Sequence, residues 1–278
     1  MDDVLGYEGR RVVVTGAASG MGEATARILG ELGAHLIALD VRPVSVPAAV
    51  SAEVDLRDEA AIDAVVDRLT ADLDGPVDAV FACAGLPGPP FGDLDTLLVN
   101  FVGTRHLLDR LAPHMAQGSA IAWIASNAGI GWQGQLALLT ELLDTDGFAA
   151  GKTWCEQHPE AVGASAYAFS KQLINAFVAA KAGAFWDRGI RLNCTNPGPT
   201  STAMMPHFEE AAGKDLIQAA LGPIHRYSTP EEQAWPLVFL NSPRLSYVTG
   251  EAFNVDGGFF GALQTGQIDF SRLLPADS

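Results

Sequence analysis

Tyr167 and Lys171 stand four positions apart in Ser165-Ala166-Tyr167-Ala168-Phe169-Ser170-Lys171. On a helix that spacing puts both side chains on one face, so an ammonium sits beside a phenol. A phenol with a pKa of about 10 is a poor acid or base at neutral pH, and a fixed positive charge nearby favours the phenolate. Alone, the pair is also what a solvated helix face can carry. A second motif, Thr15-Gly16-Ala17-Ala18-Ser19-Gly20-Met21-Gly22, lies between a β-branched run and an amphipathic one. Its glycines permit a tight turn and close backbone approach, and the following helix offers free N–H groups to a pyrophosphate. Together the two motifs point to hydride chemistry on an alcohol or ketone.

The turn places Gly16, Ser19, Gly20, Met21 and Gly22 at a dinucleotide, although three residues separate its first two glycines, unlike the G-x-G-x-x-G fingerprint. Asp40 ends the next β-like run. A carboxylate there accepts hydrogen bonds from ribose hydroxyls and repels a 2′-phosphate. Ser19 is uncharged, so the turn itself holds no arginine for that phosphate; nearby Arg42 weakens the argument. The balance favours NAD over NADP, with a plain turn role for Asp40 as the other reading. Asp55, in Val54-Asp55-Leu56, either meets an adenine amino group or caps a helix.

The elements that must position these residues follow a βαβ rhythm, which implies a parallel sheet. Strands are predicted at Arg11–Thr15, His35–Asp40, near Glu53–Val54, and at Val77–Cys83, Ala120–Ser126, Ile190–Thr195 and Ala252–Val255. Helices are predicted over Gly22–Leu32, Asp58 to about Leu73, Leu94–Met115, Ser165–Asp187 and Pro230–Leu240, the last despite Pro236. No repeat, low-complexity stretch or dividing linker is visible. The expected fold is therefore α/β, a Rossmann-type doubly wound sheet with helices on both faces, in a single domain spanning residues 1–278.

A chain of 278 residues with 48% hydrophobic residues has material for one large core. A net charge of −16 argues against nucleic acid or an anionic membrane as partner, because both repel an acidic surface. Three scattered cysteines (Cys83, Cys155, Cys194) suit buried thiols better than a disulfide framework or a metal site. The first residues lack the order of a signal peptide, and no apolar run is long enough to span a bilayer, so a soluble cytoplasmic protein is expected.

At this point the chain resembles the short-chain dehydrogenase/reductase family nearly end to end. The segments that carry the resemblance are Thr15–Gly22, Asp40, Cys83-Ala84-Gly85, Asn100, Ser126, Tyr167/Lys171, Asn196-Pro197-Gly198 through Thr202, and Asp256-Gly257-Gly258. The resemblance implies a seven-stranded sheet and a role for each residue. Tyr167 is the general acid/base. Lys171 lowers its pKa and binds the nicotinamide ribose. Ser126 hydrogen-bonds the substrate oxygen, and Asn100 holds a water that links Lys171 to solvent. Pro197, Gly198, Thr200 and Thr202 fix the nicotinamide amide and face the phosphates. Leu56, Ala84 and Gly85 join the cofactor contacts. A rival reading is a catalytically silent NAD(H)-binding sensor or scaffold on the same fold.

The chain departs from the family pattern in three places. Ala82-Cys83-Ala84-Gly85 replaces an Asn-Asn-Ala-Gly segment, the stretch from Gly85 to Asn100 is short, and the interval from Ser126 to Tyr167 is long. The inserted segment, about 131–163, carries Leu136, Leu138, Leu139, Leu142 and Leu143 at helical spacing, then Phe148 and Trp154. Such a face suits core or subunit contact, and Trp132 or Trp154 lies where it could line a pocket. A second wall, Ala203–Ile224, brings Met204, Met205, Phe208, Leu216 and Ile217, and Thr200–Glu210 contains no Arg or Lys. The expected substrate is an apolar alcohol, ketone or aldehyde without an acidic group. Within the family, the insertion resembles those of coniferyl-alcohol dehydrogenases and bacterial 3α-hydroxysteroid dehydrogenase/carbonyl reductases. A homo-oligomer, dimer or tetramer, is expected, with Phe270, Leu273 and Leu274 of the tail 259–278 reaching a neighbouring subunit.

Overall fold

The computed structural model describes residues 3–72, 75–163 and 165–268. In chain order the chain forms β1 (Arg11–Thr15), α1 (Gly20–Glu31), β2 (His35–Asp40), β3 (Val50–Glu53), α2 (Glu59–Asp72), β4 (Val77–Ala82) and α3 (Asp93–Leu97). It continues with α4 (Gly103–Leu111), β5 (Met115–Ile124), α5 (Leu136–Leu143), α6 (Gly147–Gln157), α7 (Ala166–Trp186) and β6 (Ile190–Pro197). The last elements are α8 (Met205–Ala212), α9 (Lys214–Ala219), α10 (Pro230–Asn241), β7 (Ala252–Val255) and α11 (Phe259–Gln264).

The strands pair in the order β3-β2-β1-β4-β5-β6-β7, every pair parallel. The chain winds outward from β1 to β3 and then returns to place β4 on the other side of β1. The order reverses there, so a crevice opens at the carboxyl ends of β1 and β4. Successive residues of β1 face opposite ways. Val13 enters the apolar cluster that holds side chains of α2, α4 and α7, while Val12 and Val14 enter the one under α1 and α10.

One predicted helix is replaced by several pieces. Instead of a single helix over Leu94–Met115, α3 passes into a π turn at Leu98–Val102, then α4, then a 3-10 turn at Ala112–His114. The π turn adds a residue to the helical register. With that shift, Asn100 meets the Leu86 backbone, and Gly103 lies against the Leu56 carbonyl, where a Cβ would stand 1.8 Å from the oxygen. Met115 opens β5, paired with Val77, so this strand starts earlier than the Ala120 expected from the sequence. The strand expected near Glu53–Val54 lies at Val50–Glu53 instead. Pro236 is carried inside α10, whose start is fixed by Pro230 and a capping box between Thr229 and Glu232.

In the inserted segment, Leu139, Leu142, Leu143, Phe148, Trp154 and Cys155 are buried in the main core cluster. The leucine face is therefore core, and only Leu136 among its leucines stays exposed. Trp154 stacks on His158 and Phe169 within that core, so it is packing and no free pocket wall. Beneath the insertion lies the buried Arg105, which donates to Leu142 O (3.0 Å), Thr145 Oγ1 (3.0 Å) and Gly147 O (2.8 Å). It thereby ties the end of α5 to the start of α6. Of the tail, Phe259 and Ala262 of α11 are buried, whereas Phe270, Leu273 and Leu274 lie outside the described residues, as does Leu73. Among the described residues no helix is long and apolar enough to cross a membrane.

Candidate active site

The crevice is built on close backbone contacts. A Cβ on Gly22 would fall 2.1 Å from the Gly16 oxygen, and one on Gly16 would meet the Ala84 backbone at 2.8 Å. The Thr15 hydroxyl accepts hydrogen bonds from the Cys83 (3.1 Å) and Ala84 (3.2 Å) amides, locking the turn to the end of β4. Gly20, at φ +60, faces the Thr202 methyl across 3.6 Å. The glycine turn and the loop after β6 thus close on one another. Helix α1 begins at Gly20, and its N-cap, Ser19, makes no side-chain cap bond. The first amides of α1 are left without that side-chain acceptor, the arrangement that receives an anionic diphosphate.

Asp40 is buried at the end of β2 and accepts from Ala18 N (3.0 Å) and Arg42 N (2.9 Å). Each oxygen keeps a lone pair for a further donor. The Arg42 guanidinium folds back onto Ser19 Oγ (2.7 Å), with its Nε 3.6 Å from the Asp40 carboxylate. Asp55, expected either to meet an adenine amino group or to cap a helix, lies in the turn before α2, where its carbonyl accepts from Asp58 N at 3.1 Å. Arg57 chelates its carboxylate at 2.7–3.1 Å and holds its pKa below the usual range. The Leu56 side chain is buried in the core.

The side chains expected to be catalytic come from the exit turn of β5, the π turn and α7. Ser126 caps a 3-10 turn over Asn127–Gly129: its Oγ accepts from Ala128 N (3.1 Å) and donates to Asn127 Oδ1 (3.4 Å). Ser165 caps α7 in the same manner, so Tyr167 lies in the first turn. The Tyr167 side chain is half-buried, with Gly88 on one side and the Phe208 ring on another, centroids 4.8 Å apart. Burial pushes its pKa up to about 12, against a hydrogen bond from Ser126 that pulls it down.

Lys171 is buried, its Nζ 5.4 Å from the Tyr167 ring centroid, and donates to Ile124 O (2.9 Å). Burial pushes its pKa down to about 8. Lys171 was expected to lower the phenol pKa; burial sets the direction at Tyr167, with the Ser126 hydrogen bond pulling the other way. Burial, partial at Tyr167 and deep at Lys171, penalises the phenolate and the ammonium alike.

Asn100 is fully buried. Its Oδ1 accepts from Leu86 N (2.6 Å), and its Nδ2 donates to Leu86 O and Ser170 Oγ, both at 3.0 Å. Both amide hydrogens are used, so the side chain keeps only the second Oδ1 lone pair for a further partner. A Cβ on Gly85 would lie 3.3 Å from Asn100 Oδ1, so this glycine makes room for Asn100. A Cβ on Gly198 would meet the Asp256 backbone at 3.0 Å, and Thr200 is held by Gly198 O (2.9 Å) and Ser228 Oγ (3.0 Å). Thr202 Oγ1 accepts from Met204 N at 3.3 Å. Pro197 ends β6, facing Val255.

Sequence reasoning passed over Thr15, Ser170 and Asn175. Each had a signal: Thr15 directly precedes the glycine turn, Ser170 adjoins Lys171, and Asn175 continues the Tyr167–Lys171 spacing by one more turn.

Residues 10–137 match the short chain dehydrogenase family, and residues 155–260 match the enoyl-(acyl carrier protein) reductase family. The coniferyl-alcohol dehydrogenase of Pseudomonas sp. (strain HR199 / DSM 7063) is 29% identical over 250 residues, covering 90% of this chain and 96% of that protein. The 3-alpha-hydroxysteroid dehydrogenase/carbonyl reductase of Comamonas testosteroni is 31% identical over 251 residues, covering 89% and 95%. The chain belongs to the short-chain dehydrogenase/reductase family. This dehydrogenase is also similar to a solved 3-alpha-hydroxysteroid dehydrogenase from Pseudomonas sp. B-0831 complexed with NADH, with a TM-score of 0.78 and 27% identity over 92% of this chain and 98% of that one. It is an NAD(P)-dependent oxidoreductase by family. The cradle of Gly16, Gly20 and Gly22, with the Asp40 carboxylate beside it, fits such a cofactor.

Proposed function

We propose that this dehydrogenase uses NAD to interconvert an apolar alcohol with its ketone or aldehyde, the substrate being an aromatic or benzylic alcohol or a hydroxysteroid. The observation that carries the reading is the meeting of Ser126 and Tyr167, with Lys171 one turn further along α7, beside the glycine cradle. When bound, NAD supplies or accepts the hydride at nicotinamide C4. The residues of the chain handle the oxygen and its proton.

Tyr167, with its pKa near 12, is protonated at neutral pH and so gives a proton to the carbonyl oxygen during reduction. In oxidation Tyr167 must first lose that proton and act as the phenolate that accepts the proton of the alcohol, which makes lowering of its pKa on ligand binding part of the mechanism. Ser126 turns its hydrogen from Asn127 Oδ1 to the substrate oxygen and holds the developing charge there. Lys171, anchored by Ile124 O, would hold the nicotinamide ribose. Asn100 holds Leu86 and Ser170 in place behind it. Asp40 supports NAD over NADP, because its carboxylate stands beside Ala18 of the turn, where a ribose 2′-hydroxyl is welcome and a phosphate is repelled.

The substrate class is supported by the apolar surroundings of Tyr167. Phe208 packs on it, Met204 and Met205 precede that ring, and Thr200–Glu210 contains no Arg or Lys to clamp an acid. The names of the two curated relatives agree with this class. A panel of coniferyl-type alcohols and 3-hydroxysteroids, followed by NADH absorbance, tests the reading. Turnover of one group supports it. NADH binding without turnover on any member favours the silent sensor instead. We also propose a cytoplasmic homo-oligomer. Free thiols at Cys83, Cys155 and Cys194 suit a reducing compartment, and exposed Trp235 and Phe239 on α10 suit a subunit contact that light scattering can test.

A further inference from the structure

Tyr167, Lys171 and Asn175 repeat at intervals of four along α7, so they line one face of the helix. All three face the exit of β5. Tyr167 meets Ser126, Lys171 binds Ile124 O, and Asn175 Nδ2 donates to Gly129 O at 3.4 Å. Gly129 closes the turn that Ser126 caps, through Gly129 N to Ser126 O at 2.9 Å. The turn lies hard against α7. A Cβ on Gly129 would stand 2.5 Å from Asn175 Nδ2 and 2.8 Å from Lys171 O. Asn175 is buried, and its Oδ1 accepts the thiol of Cys194, itself buried on β6, at 3.3 Å. An amide fixed at both ends in a dry interior has one geometry available to it.

We propose that Asn175 is a positioning residue, which sets the Ser126 turn against the Tyr167–Lys171 face of α7. It touches neither substrate nor cofactor. Its effect passes through Gly129 to the Ser126 hydroxyl, where a displacement of a fraction of an ångström changes the alignment of that hydroxyl with Tyr167. The inference rests on the reading that Ser126 contacts the substrate oxygen.

The test compares Asn175→Leu, which keeps the branched shape without the polar atoms, and Asn175→Ser, which shortens the side chain without adding apolar bulk. Each is measured by NADH fluorescence titration, by steady-state kinetics on the best substrate of the panel, and by hydrogen exchange of the peptide spanning residues 126–132. The expected result is an NADH Kd within error of the parent, faster exchange in that peptide, and a kcat lower by roughly tenfold with a smaller change in KM. Gly129→Ala, which drives the turn off the helix, should give the same pattern. Unchanged kcat and unchanged exchange in the folded Asn175 variants overturn the proposal and leave Asn175 as packing. Ser126→Ala separates this failure from that of the underlying reading. Full turnover there overturns the role of Ser126 itself, whereas lost turnover there with parental kcat in Asn175→Leu overturns only the role of Asn175.

Discussion

Replacing Asp40 by Asn removes the charge at the end of β2 while keeping its shape. The side chain is 7% exposed and accepts two backbone N–H groups, from Ala18 at 3.0 Å and Arg42 at 2.9 Å. Asn offers one acceptor oxygen in place of two, so one of those donors loses its partner, at a cost of about 1–3 kcal/mol in stability. The consequence for cofactor choice is larger. At a separation of about 5 Å and an effective dielectric of about 40, one charge pair is worth about 1.7 kcal/mol, and a dianionic 2′-phosphate about twice that. Arg42, with its Nε 3.6 Å from the carboxylate, offsets part of this repulsion. The expected change is therefore a fall of roughly one to two decades in the ratio of the NADPH Kd to the NADH Kd. Fluorescence titration with both cofactors measures the ratio, and a thermal melt reports the cost to the turn. A lowered melting temperature with an unchanged ratio would refute the reasoning and reduce Asp40 to a turn residue.

Two further outcomes are expected. Burial holds Lys171 at about 8, below the ordinary 10.5, so between those values the unfolded chain carries a proton that the folded chain has released. The contribution of Lys171 to stability must then rise with pH across that window and stay flat below it. Urea midpoints of the wild type and Lys171→Met on either side of the window measure the gap between them, which should shift toward the wild type as pH rises. A constant gap would contradict the buried ammonium. Arg105→Ala removes three hydrogen bonds, to Leu142 O, Thr145 Oγ1 and Gly147 O, together with the packing of a buried side chain, at a cost of about 2–4 kcal/mol. Hydrogen exchange should quicken first in residues 136–157, and uniform protection there would count against Arg105 as the tie of the insertion.

The sheet was legible because its strands are β-branched or apolar runs bounded by turn residues. Arg11–Thr15, His35–Asp40 and Ala252–Val255 lie where pattern alone places them. The run from Leu94 to Met115 misled for a physical reason. Its apolar periodicity is helical, but the break at Leu98–Val102 is imposed by tertiary partners, the Leu86 backbone and the Leu56 carbonyl, which no local pattern displays. The insertion was readable as helices, and its leucine face left core and subunit contact equally open until the cluster with Phe101 and Trp123 was seen.

At the site, the residue types and their order marked Asn100, Ser126, Tyr167 and Lys171, and the structure brings them together. Their electrostatics could not be read in advance. Spacing places an ammonium near a phenol, but only the fold shows that burial pushes the phenol up and the ammonium down. The pairing of Asp55 with Arg57, two residues on, was likewise not visible in the pattern.

Tyr167→Phe tests the central claim most directly, because it removes one hydroxyl from a ring that already packs against Phe208. The expected result is an NADH Kd close to that of the parent and a kcat lower by roughly two to four decades on any substrate the wild type turns over. A variant that retains kcat would contradict the assignment of Tyr167 as the proton donor, and one that loses NADH binding would show it to be a structural part of the cofactor site.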